Sequence, residues 1–208
     1  MFRQSTVMLV AGGLFLSACE SGTAPGPQLD DADADALSAE ADAMLYGMLN
    51  DLFGGFTGGA AASEGPALAD VVVTWSFERT RTCRAGGTAT LAGEGTRSRD
   101  DAAGTVDHVA SGTKTRDACA FARGDVTLTV DGFGEWTHER HFLDRAPTGT
   151  WITTWVGDVE WSKSTGQSGA CSHDLTKTVD TAANTVTIVG THCGRDIDRS
   201  RTWRNQDG

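Results

Sequence analysis

The chain has one tyrosine and four prolines, and between Glu20 and Asp70 it has no lysine or arginine. No apolar run reaches the roughly 20 residues of a membrane-spanning helix. No cysteine stands in a C-x-x-C unit, which argues against a zinc ribbon or a thioredoxin-like site. A Gly-x-Ser-x-Gly elbow and a phosphate-binding glycine loop are both missing, so no motif supports an enzyme and no cofactor is implied. With 17 basic against 28 acidic residues, the chain lacks the electrostatic footprint of a nucleic-acid binder.

What is present begins with a charge asymmetry. Residues 20–70 hold ten acidic residues, whereas residues 71–208 hold 18 acidic and 16 basic ones. The acidity therefore sits in an N-terminal stem ahead of a nearly neutral body. Beside anionic lipid headgroups such a stem is repelled, and it is expected to hold the body off a membrane surface.

The first residues supply the reason to expect a membrane. Arg3 precedes an apolar run from Val7 to Leu16, followed by Leu16-Ser17-Ala18-Cys19. One positive charge, a short apolar core and small residues form an export signal. The segment resembles the lipobox of bacterial lipoproteins. That resemblance covers residues 1–20 and implies cleavage before Cys19, lipidation of its thiol and acylation of the new N-terminus. Several acyl chains anchor a protein stably, where one does not. In such proteins an Asp after the cysteine tends to retain the chain at the inner membrane. Here Glu20 follows, which favours the outer membrane. The alternative is a plain secretory signal cut elsewhere. The organisation expected is a removed signal over 1–18, a lipid-anchored stem over 19–70 and a body over 71–208.

The stem opens with a Gly/Pro-rich tether, Glu20 to Gln28. From about residue 30 to 53 the periodicity is helical. Leu37, Ala41, Met44, Leu45, Met48 and Leu52 share one face. Asp30, Asp31, Asp33 and Asp35 crowd its start, where the helix dipole favours negative charge. Gly54-Gly55 is expected to end it, and a Gly/Ala/Ser linker follows. The apolar stripe either packs onto the body or docks an envelope protein through Leu37, Met44, Leu45, Met48 and Leu52.

From Val71 the period becomes two. Val71, Val73, Trp75 and Phe77 fall on one face, with Val72, Thr74, Ser76 and Glu78 on the other. Strands are expected near 70–83, 87–96, 104–117, 124–131, 134–143, 149–163, 169–180, 184–193 and 195–204. Their short connections permit only antiparallel neighbours. The expected fold is all-β: an antiparallel meander of eight to ten strands, barrel-like or strongly curved, preceded by one amphipathic helix. Such a sheet must close or fold over to bury its apolar face.

Five cysteines are present, and lipidation of Cys19 leaves an even four. Pairing Asp180 with Asn184 across a Thr-Ala-Ala turn sets Cys171 opposite Cys193, within disulfide reach. Cys83 and Cys119 then pair at one sheet end. A closed barrel would allow the rival pairs Cys83–Cys193 and Cys119–Cys171.

Six tryptophans are unusual beside one tyrosine. Trp151, Trp155 and Trp161 share parity on one strand, and Trp75, Trp136 and Trp203 lie on others. They either fill the core or, with Trp75, Trp151, Trp155 and Trp161 as lining, wall a cavity for an apolar or glycan ligand, as in a lipocalin-like carrier. His138 and His141 fall on opposite strand faces, which disfavours a shared metal. The Asp180–Asn184 register also puts His173 and His192 on opposite faces. Asp158 with Glu160, and Glu135 with Glu139, share strand faces, as alternation on a solvated face produces by default. Arg195, Arg199 and Arg201 with Asp196 and Asp198 form a mixed-charge last strand that guards an edge. The function expected is that of a lipid-anchored envelope protein whose β domain binds or scaffolds. A carrier is the alternative, and an envelope hydrolase has no motif behind it.

Overall fold

A computed structural model describes residues 29–57 and 71–202, with the side chains of 41, 42, 46, 50 and 52–57 excepted. Cys19 with its signal, the tether, the linker, Trp203 and the side chains of Ala41 and Leu52 lie outside the described residues. Among the described residues one helix, α1 (Asp31–Thr57), is followed by eight strands. These are β1 (Val71–Thr82), β2 (Thr88–Asp100), β3 (Thr105–Arg123), β4 (Val126–Leu143), β5 (Ala146–Lys163), β6 (Ser168–Asp180), β7 (Thr185–His192) and β8 (Arg195–Thr202). The strands form one antiparallel meander in the order β1 to β8. The sheet is curled but open, and β1 and β8 do not pair.

Several boundaries differ from the sequence reading. Residues 124–131 and 134–143 form one strand, because β4 runs straight through Gly132-Phe133-Gly134. The turn expected at Pro147–Gly149 lies earlier: Asp144 and Arg145 adopt positive φ, and Pro147 sits within β5. α1 also passes through Gly54-Gly55 to Thr57.

The glycines have a job in the curl. A Cβ on Gly93 would stand 2.2 Å from the Ser111 carbonyl oxygen, and one on the facing Gly112 would stand 2.0 Å from that of Ala92. Backbones approach here more closely than any side chain permits.

The inner face of the curl holds the core. Leu91, Trp136, Trp155, Val159, Trp161, Leu175 and Ile197 join Leu37, Leu45, Met48 and Leu49 of α1 in one buried cluster. The stripe on α1 therefore packs against the sheet. The surface expected to meet an envelope protein is occupied in this structure, with Leu37, Leu45 and Met48 buried and Met44 half-buried.

The acidic residues of α1 bind the body as well. Asp30 caps the helix by accepting the Asp33 N–H at 3.0 Å. Lys163 lies 2.6 Å from Asp30 and 2.5 Å from Asp33, and Arg123 also reaches Asp33 at 2.5 Å. Arg195 pairs with Asp31, and Arg199 pairs with Asp35 at 2.6 Å. Arg81 pairs with Asp51, and Arg84 with Glu40 at 2.8 Å. The first turns of α1 thus meet β8 and the ends of β3 and β5, and its later turns meet the β1 side. Six of the ten stem acids, Asp30, Asp31, Asp33, Asp35, Glu40 and Asp51, are thus paired with the body's own cations. Arg195 and Arg199 of β8 likewise hold the helix in addition to marking an edge.

Two disulfides staple the sheet. Cys83 bonds Cys119 with a Cα–Cα distance of 5.4 Å, and Cys171 bonds Cys193 at 4.7 Å. The hairpin register is one residue away from the sequence reading, since Asp180 faces Thr185 and His173 faces His192. Such a slip reverses which side chains share a face. The cysteines still meet because Cys193 lies beyond β7 with φ 52°, its N–H donating to the Ser172 carbonyl at 2.9 Å. That left-handed residue departs from strand alternation.

Candidate functional site

Three of the four tryptophans expected to line a ligand space, Trp151, Trp155 and Trp161, are buried on the inner face of β5. Trp75 is half-buried and stacks 5.2 Å from Phe77. Trp155 and Trp161 belong to the main core. Trp151 packs with Phe142, Val179 and Val186 in a second cluster. The Trp151 indole N–H donates to the His141 carbonyl at 3.0 Å, and that of Trp136 to the Thr113 carbonyl at 3.2 Å. Trp151 thus packs apart from Trp155 and Trp161, and of the four only Trp155 borders the recess described below.

The inner face holds something else. On β3, β4, β6 and β7 the positions facing the core mix apolar residues with cations or imidazoles. Lys114, Gly134, Gly157, His173 and His192 stand side by side across five strands, β3 to β7. Two residues along, Arg116 faces Gly132, which faces Val159. In the other direction Ala110, His138, Thr153 and Lys177 make a parallel row. Beyond it Arg97, His108 and Arg140 face one another in turn. Lys114, Arg116, Arg140, Lys177 and the histidines 108, 138, 173 and 192 are all buried.

Burial and mutual repulsion set the protonation of these groups. Desolvation, then the charges of Arg116, His192 and Lys114, push His173 down to about 3. Desolvation followed by Arg116 and Arg199 pushes His192 down to about 4. His108 is likewise lowered to about 4, by desolvation and then by Arg97 and Arg140. His138 is held well below the usual imidazole range by burial, then by Arg140 and Lys177. Its Nδ1 lies 2.7 Å from the Thr153 hydroxyl. Desolvation alone pushes Arg116 down to about 10. Arg140 stacks over Trp151, 4.8 Å from the ring centre, so part of its charge is met by the indole face.

A small recess opens among these rows, with about 230 Å³ of empty space partly open to solvent. Lys114, Arg116, Trp155, His173 and the strand β4 around Gly132–Glu135 line it. A Cβ on Gly134 would lie 3.4 Å from His173 Nε2, and one on Gly157 would lie 3.1 Å from His173 Cε1. The glycines leave the floor clear beneath the imidazole.

The other residues singled out from sequence lie apart from this face. Asp158, Glu160 and Glu135 are exposed on the outer face, with Glu139 half-exposed beside them. His141 is outside too, 2.7 Å from Asp107 and 3.4 Å from Glu139. The sequence reading set His173 and His192 on opposite faces; their rings instead lie 6.0 Å apart on the same face. Among the described residues, no group of three or more His, Cys, Asp or Glu side chains could hold a metal. The cationic rows were missed altogether. Their signal was present: Lys114, Arg116, His138, Arg140, His173 and Lys177 all occupy core parity, where strand alternation calls for apolar residues.

No family model, no curated protein and no solved structure matches this chain.

Proposed function

We propose that this chain is a lipid-anchored protein of the cell envelope, held by Cys19, whose β domain binds or scaffolds through its surface. The lipobox-like Leu16-Ser17-Ala18-Cys19 supports the anchor. The filled inner face supports surface binding over carriage. Ligand pockets for small molecules generally hold roughly 300–1,000 Å³. The recess beside Trp155 falls far short of that, since most of its empty space is open solvent and its interior holds about one water-sized group. α1 occupies much of the face that a carrier would keep empty.

Membrane fractionation of the full chain tests the anchor. Cys19→Ala is expected to move the protein from the membrane to the soluble fraction; retention at the membrane would overturn the proposal. The carrier reading makes a separate claim. It requires intrinsic tryptophan fluorescence to shift saturably with a fatty acid or an oligosaccharide, and the filled interior predicts no shift.

A further inference from the structure

We propose that the recess bounded by Lys114, Arg116 and His173 is a binding site for a small oxyanion, a carboxylate or a phosphate. The inference goes beyond the envelope reading and stands without it.

Arg116 carries the argument. Its side chain projects from the inner face of β3 and is 8% exposed. Among the described residues no hydrogen bond or ion pair reaches its guanidinium. A buried cation without a partner is costly, and proteins keep one where an anion comes to meet it. The guanidinium fork also matches the two oxygens of a carboxylate or phosphate.

The surroundings fit the same ligand. Lys114 lies on the same strand face two residues away, and both line the recess. The Nδ1 atoms of His173 and His192 are buried without a hydrogen-bond partner. The nearby carboxylate of Asp35 is already held by Arg199 at 2.6 Å. Glu135 borders the recess but is exposed on the outer face. Gly134 and Gly157 make room for the His173 ring, which lies over them and so stands at the edge of the recess. The recess admits about one water-sized group, the room of one or two oxygens at the leading end of a carboxylate or phosphate, and excludes a large ligand.

The test uses the full chain with ¹⁵N-labelled arginine and histidine. Sodium phosphate and sodium acetate are titrated separately against sodium chloride at equal ionic strength. The Arg116 Nε–H and the His173 ring resonances are followed. A saturable shift with phosphate alone assigns a tetrahedral ligand, with acetate alone a carboxylate, and with both a general oxyanion site. Arg116→Met keeps the bulk and removes the charge, and is expected to abolish saturation. If that variant fails to fold, Lys114→Gln carries the same test through an affinity loss of roughly tenfold or more. Responses to phosphate and acetate no different from chloride would overturn the proposal. So would saturation that survives the loss of either cation.

Discussion

His173 faces His192 directly across β6 and β7, ring centres 6.0 Å apart, and both are held neutral by burial and by Arg116. Two imidazoles in such contact cannot both take up protons without bringing like charges together beside buried cations. The folded state therefore binds fewer protons than the unfolded chain in mildly acidic solution.

This predicts acid sensitivity of a defined sign. His108, His173 and His192 titrate at about 4, 3 and 4 when folded, against an ordinary value of 6.5 when unfolded, and His138 is lowered as well. Their contribution to stability is complete above pH 6.5 and is lost as pH falls towards those folded values. Each histidine adds a slope approaching ~1.4 kcal/mol per pH unit within that window. Urea midpoints measured from pH 7.5 to 4.5 should fall steeply, and His173→Gln should flatten the curve. A profile that His173→Gln leaves unchanged would remove this histidine from the account.

Gly157→Ala should be destabilising despite its small change in volume. The added methyl would meet the Phe133 carbonyl oxygen at 2.4 Å and Gly134 Cα at 2.5 Å, both backbone atoms that cannot swing aside. Overpacking of this kind costs about 1–3 kcal/mol. Thermal unfolding measures the loss, and a displaced His173 ring resonance would locate it. An unchanged melting temperature would show that the two strands can part without cost.

The ion pairs that hold α1 should differ greatly in worth. Asp33 is buried between Lys163, whose side chain is 7% exposed, and Arg123. Asp33→Asn removes the charge that both cations share and should cost about 2 kcal/mol or more. Asp51 and Arg81 form an exposed pair. Asp51→Asn should cost under ~1 kcal/mol. Equal losses in urea unfolding would contradict this ranking.

The period-two pattern beginning at Val71 was sufficient to read the antiparallel meander, because a half-buried strand writes its inner face into alternate positions. The joining of 124–131 to 134–143 was not legible. Gly132 and Gly134 look like breaks in a sequence, yet in a curled sheet they are the residues that let a strand continue. The hairpin register failed at Asn184, whose positive φ adds a residue to the turn. Cys193 compensates with its own left-handed backbone, so the disulfide could be read correctly from an incorrect register. The cationic rows were hidden for a different reason. A lysine or arginine at core parity, such as Lys114 or Arg116, passes as a solvated residue until the neighbouring strands show that nothing but sheet surrounds it.

The ion pairs of α1 also say something about timing. Asp31 and Asp35, in the first of the described elements, are joined to Arg195 and Arg199 on the last of them, each across a separation of 164 residues. Contacts of such reach are paid for only after the intervening chain is ordered. The helix is therefore a latch whose catch is made last. Until β8 is in place, the interior beneath the helix cannot be fully shut.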